Sequence, residues 1–126
     1  MDTFAIHEWY RLLNTGYRVS AIGGTDKMSA GMPVGGVRTY ANIGDEEFSF
    51  DAWGRAVRAG RTYTTSGPLP SLSVEGSLPG DELSLNGNSG KLHVEAAATG
   101  PMPFHKLEVV LNGKVVAQSS AAAGAT

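Results

Sequence analysis

Residues 16–40, GYRVSAIGGTDKMSAGMPVGGVRTY, place one aspartate, Asp26, just past an apolar run that ends in Gly23 and Gly24. A carboxylate at the carboxyl end of a buried strand stands where α/β folds gather ligand and catalytic groups. Paired glycines let the backbone turn sharply and let an ion come close. The chemistry on offer is divalent-cation binding by Asp26. The alternative is a carboxylate that only holds its own turn by accepting bonds from nearby N–H groups. One carboxylate does not make a metal site, because affinity needs several fixed donors. Arg38, which follows Gly35 and Gly36, is placed either to pair with Asp26 or to clamp an anionic group of a substrate.

Other chemistries find little support. The glycine-rich run lacks the Gly-Lys-Ser/Thr ending of a phosphate loop, and its spacing misses the dinucleotide fingerprint. His7 has no second histidine four residues away, so there is no helical zinc motif. His93 and His105 fall in separate strands, read as surface positions or cross-strand neighbours with no carboxylate nearby. Ser66 lacks the Gly-x-Ser-x-Gly setting of a hydrolase nucleophile. Arg55, Arg58 and Arg61 suit the solvated side and negative end of a helix. Trp9, Tyr10, Phe50 and Trp53 read as core for the first half of the chain.

With 126 residues, 41% hydrophobic and 17% charged, the chain has the composition of a soluble globular domain with a modest core. A net charge of -2 without a basic stripe argues against nucleic acid. Cysteine is absent, which removes disulfides and thiolate metal sites and leaves the compartment open. No apolar run approaches the roughly 18 residues of a membrane span, and the acidic N-terminus is not that of a signal peptide. Cytoplasmic and exported settings both remain possible.

The elements that must position these residues fall into two groups. Asp2 or Thr3 caps a helix with Phe4, Ile6, Trp9, Leu12 and Leu13 on one stripe, and Gly16 closes it. Residues 17–22 read as a short buried strand and 34–42 as a second extended segment. A second helix, capped by Ser49 or Asp51 and ended by Gly60, turns Phe50, Trp53, Ala56 and Val57 inward. From Arg61 the pattern becomes short strands: TYTT, SLSVEG, ELSL, KLHVEAAA, FHKLEVVL and KVVAQ. Asn112-Gly113 between apolar strands predicts a two-residue type I′ hairpin, and NGNSG at 86–90 a looser turn. The two prolines of SGPLP, 66–70, mark the joint, since proline interrupts strand pairing. About five strands follow Pro70, fewer than the roughly seven of a closed immunoglobulin-like sandwich, and open edges recruit other chains. The end, from about 119, is poorly specified.

Four separated segments, WYRLLNTGYRVSAIGGTDK, PVGGVRTYA, AVRAGRTYTTSGPL and LEVVLNGKVVA, resemble consecutive parts of the CehA/McbA-type metallohydrolases. These belong to the polymerase-and-histidinol-phosphatase (PHP) superfamily. The resemblance covers residues 5 to 118 in the family's order. It implies a distorted (β/α) barrel with a multinuclear metal site, hydrolysis of phosphoester or carbamate/ester bonds by a metal-activated water, and a β-sandwich after the barrel. On this resemblance residues 17–24 are the last barrel strand, Asp26 is the late metal-ligating aspartate, residues 49–60 are the closing helix, and 67–126 begin the sandwich. The superfamily's early His-x-His, bridging Glu and middle histidines have no counterpart in these 126 residues, and Met28 stands where many relatives have histidine.

The expectation is therefore an α+β chain, mostly β. Residues 1–66 form a helix-strand-strand-helix remnant of a PHP-type barrel, and 67–126 a partial antiparallel, immunoglobulin-like β-sandwich. Asp26 binds divalent metal, Zn or Mn, only in an intact parent, and no cofactor is expected in this chain alone. Gly23, Gly24, Gly35, Gly36, Asn112 and Gly113 are structural turn positions. A homo-oligomer through exposed strand edges is expected, with no nucleic-acid or membrane partner. The alternative is a free-standing β-rich binding or assembly module.

Overall fold

The structure, a computed structural model, describes residues 3–85 and 90–120. It is mixed α and β, with strands in the majority, and its strands form three two-stranded antiparallel sheets. Contacts group the chain into two compact units, one of residues up to Val19 together with those from Met102, the other Ser20–Pro101. The 66–70 joint lies inside the second unit. No helix among the described residues is long and apolar enough to cross a membrane.

In the first unit, α1 (Thr3–Asn14) ends as its sequence dictates. Gly16 adopts φ 88. The N–H groups of Gly16 and Tyr17 bond back to the carbonyls of Leu13 at 3.0 Å and Leu12 at 3.1 Å, a Schellman cap. The indole N–H of Trp9 donates to the carbonyl of Val19 at 2.7 Å, which folds the exit of the helix back along it. The remaining element is a hairpin. Asn112 at φ 52 and Gly113 at φ 77 join two strands in which Leu111 faces Lys114.

The second unit holds the candidate site. A strand, β1 (Arg38–Ala41), pairs with β2 (Thr62–Thr65), with Tyr40 opposite Tyr63 and their rings stacked at 5.2 Å. Between them α2 (Phe50–Arg58) is capped by Ser49, whose hydroxyl accepts from the Ala52 N–H at 3.1 Å. Asp51 in the first turn and Arg55 and Arg58 in the last suit the helix dipole. A second Schellman cap closes α2, with Gly60 at φ 76 and Arg61 N–H bonded to the Ala56 carbonyl at 3.0 Å. Ladder β3 (Leu69–Val74) with β4 (Val94–Thr99) completes the unit. The first unit's hairpin supplies β5 (Lys106–Leu111) and β6 (Lys114–Ser120).

Several expectations are corrected. Residues 17–22 form no strand, and Tyr17 and Ile22 are each 65% exposed, because no neighbouring backbone offers them a ladder. On α2 the buried stripe is Ala52 and Ala56, while Phe50 is 80% exposed; small side chains let the helix approach the sheet where an aromatic ring would hold it off. Trp53 and Val57 are half-buried. Pro70 does not interrupt pairing: it lies within β3 opposite Ala98, tolerated because a two-stranded ladder leaves an outer edge that needs no donor. Residues 82–85 are exposed and irregular, and β4 starts only at Val94. Val34–Val37 turn rather than extend, leaving Arg38–Ala41 as the strand. The Asp2 cap, most of the 86–90 turn and the tail beyond Ser120 lie outside the described residues.

The loop after β3 meets the end of α2 backbone to backbone. A Cβ on Gly80, itself at φ 92, would stand 2.3 Å from the Ala59 carbonyl oxygen and 2.8 Å from the Gly60 carbonyl carbon. The Arg61–Asp81 ion pair, at 4.0 Å, flanks this contact. Replacing Gly80 with Ala is expected to cost about 2 kcal/mol or more, from overpacking and a left-handed alanine together. Urea unfolding of that variant measures it.

Candidate functional site

Side-chain hydroxyls hold the stretch that leads to Asp26. The Thr39 hydroxyl accepts from the Gly23 N–H and donates to the Gly23 carbonyl, each at 2.8 Å. Thr62 donates to the Ala21 carbonyl at 2.8 Å, and Ser20 donates to the Val57 carbonyl. Two residues after Gly23, Thr25 Oγ1 accepts from the Val37 N–H at 3.1 Å and donates to the Val37 carbonyl at 3.3 Å. A hydroxyl is both donor and acceptor, so one threonine can close a pair of bonds that would otherwise need a strand.

Thr39 faces Thr64 across the β1–β2 ladder, and Gly23 lies against that pair. A Cβ on Gly23 would approach Thr64 Cγ2 to 2.6 Å and Val37 Cγ1 to 3.4 Å. This close approach requires glycine. Gly24, by contrast, has open space around its Cα. Thr64 Oγ1 is buried beside Gly23 and has no hydrogen-bond partner.

Asp26 itself is exposed and left-handed, with φ 49. Among the described residues its carboxylate makes no hydrogen bond and no ion pair. Arg38 is exposed at the start of β1, and among the described residues no ion pair joins it to Asp26. A Cβ added at Gly35, which is at φ 79, would meet the arginine stem at 3.8 Å, and one at Gly36 would meet Thr25 at 3.8 Å. Among the described residues no three His, Cys, Asp or Glu side chains converge as a metal-binding group. His7 and His105 are exposed.

One constellation escaped the sequence. His93 and His105 lie in different units, and His93 does have carboxylate neighbours. Its Nε2 stands 3.4 Å from Glu95 Oε1, and Ser73 Oγ donates to Glu95 Oε2 at 3.2 Å. The His93 backbone N–H donates to the Glu75 carboxylate. Only the β3–β4 register, which sets Ser73 opposite Glu95, brings them together. Of these side-chain contacts the Ser73–Glu95 bond crosses the ladder, while His93 and Glu95 lie two residues apart on one segment and are both largely exposed.

No family model, curated protein or solved structure matches this chain.

Two stability measurements separate the roles of these residues. Thr39→Val should cost about 1–3 kcal/mol, since it leaves both Gly23 backbone groups without their partner. Asp26→Asn should change stability by less than about 1 kcal/mol, because asparagine tolerates the left-handed backbone and the exposed carboxylate has no bond to lose. Thermal unfolding of the two variants side by side checks both.

Proposed function

We propose that this chain is a carboxy-terminal piece of a PHP-type metallohydrolase, of the class that cleaves phosphoester or carbamate/ester bonds, and that alone it is inactive. The observation that carries this reading is the state of residues 17–25. An apolar segment rich in strand formers leads to an aspartate, yet it has no ladder and exposes Tyr17 and Ile22. In a larger parallel barrel that segment would be flanked on both sides, and Asp26 would stand at its carboxyl end, where such barrels gather ligands. The order of the four resembling segments supports the same reading. The three small sheets then correspond to the closing part of the barrel and the beginning of an appended sandwich.

Asp26 supplies one anionic oxygen donor, suited to Zn²⁺ or Mn²⁺ when other donors surround the ion. Bound there, the metal would supply a water activated at neutral pH. Arg38, exposed with no carboxylate paired to it among the described residues, is suited to an anionic substrate group.

A second reading is a β-rich assembly module. Among the described residues every ladder is two-stranded, so each sheet has two outer strand edges. Such edges add strands from other chains. This predicts a homo-oligomer.

Zinc or manganese added to the 126-residue chain should leave its melting temperature unchanged and give no turnover of an aryl phosphodiester or carbamate. Joined to an upstream His-x-His segment, the chain should turn over, and Asp26→Ala should then lower activity by at least the roughly 10–100-fold that loss of an outer-shell partner costs. Metal-dependent turnover by the chain alone would refute the fragment reading.

A further inference from the structure

An aspartate in a left-handed turn ordinarily stabilises that turn with its own carboxylate. Asp26 does not: its backbone is at φ 49 and its carboxylate is free of bonds among the described residues. The residues on either side are fastened instead. Thr25 closes the base of the loop through its two bonds to Val37. Lys27 turns its ammonium into the loop and donates to the carbonyls of Ser29 at 2.9 Å, Ala30 at 3.4 Å and Met32. The Met32 N–H also bonds to the Ser29 carbonyl, at 3.3 Å, so these oxygens belong to one compact turn.

An ammonium has three protons, and here three carbonyl oxygens surround it. Charge-assisted bonds of this kind are stronger than neutral ones. Together they fix the direction of the chain at residue 27 relative to residues 29–32. With Thr25 held on the other side, Asp26 adopts the left-handed conformation, which a non-glycine residue otherwise avoids.

We infer that Lys27 is a positioning residue for Asp26: its carbonyl-bound ammonium does the turn-holding that the aspartate would otherwise do, and so keeps the carboxylate free for an external cationic ligand. The use of that freedom for a catalytic metal rests on the hydrolase reading above. The positioning itself does not.

The test uses the whole 126-residue chain labelled for NMR. In Lys27→Met, amide exchange over residues 28–36 should rise about tenfold or more, because charge-assisted bonds that held the loop are gone. The Asp26 Cα and Hα shifts should leave left-handed values, while the stacked Tyr40 and Tyr63 rings keep their signals. Lys27→Arg, which retains several donors, should restore part of the protection. A double-mutant cycle adds a second measurement that bears on positioning alone. In an Asp26→Gly background, where the left-handed turn needs no holding, Lys27→Met should lower the melting temperature less than it does in the wild-type chain. Unchanged Asp26 shifts in Lys27→Met, or equal effects of Lys27→Met in both backgrounds, would overturn the inference. Neither readout involves a metal or hydrolysis, so the positioning claim and the hydrolase reading fail separately.

Discussion

Side-chain hydroxyls stand in this chain where a neighbouring strand's backbone would ordinarily stand. Thr39, Thr62 and Ser20 hold residues 20–23, and Thr25 holds Val37. An extended segment buried without partners for its N–H and C=O groups carries a desolvation cost for each one. Threonine removes that cost at individual points, and its β-branched shape also suits β1 and β2. The grip is local, and it works only if the held backbone comes within bonding distance of the sheet face. Gly23 makes that distance possible, and Asp26 is placed three residues beyond it.

Little of the chain is deeply buried. Among the described hydrophobic residues only Ala52 and Ala56 fall in the buried class. Large side chains, among them Phe4, Phe48 and Phe50, face outward. Two-stranded ladders are marginal on their own in water. Here each is supported by something besides its own pairing. Stacked Tyr40 and Tyr63 support β1–β2, and the bonds from Ser73 to Glu95 and from the His93 N–H to the Glu75 carboxylate join the β3 and β4 segments. The turn of β5–β6 lies beside α1, where a Cβ added at Gly113 would meet the Tyr10 ring at 3.7 Å.

What could be read in the sequence was what is decided over a few neighbouring residues. The ends of both helices were legible at Gly16 and Gly60, because a left-handed cap is written in one glycine and its neighbours. The cap of α2, narrowed to Ser49 or Asp51, and Asn112-Gly113 as a hairpin were legible for the same reason. Non-local features were not. Residues 17–22 have the composition of a strand, yet a ladder also needs a partner, and composition cannot supply one. On α2 the aromatic residues suggested the inward face, while the space beside β1 selected Ala52 and Ala56. Pro70 reads as a breaker until the sheet is seen to have only two strands. At the site, the type and place of Asp26 were evident. The roles of Thr25, Lys27 and Thr39 were hidden, because each acts on backbone groups that no sequence pattern identifies.

The contact between Gly60 and Gly80 has a bearing on how the chain can vary. Where two main chains touch without side chains between them, neither segment can lengthen, shorten or acquire bulk independently of the other. Insertions in this unit are therefore channelled elsewhere, toward open turns such as the one around Gly44, where an added Cβ would meet nothing within 4 Å. Relatives that differ in length should differ there, and keep the spacing from the end of α2 to the turn after β3.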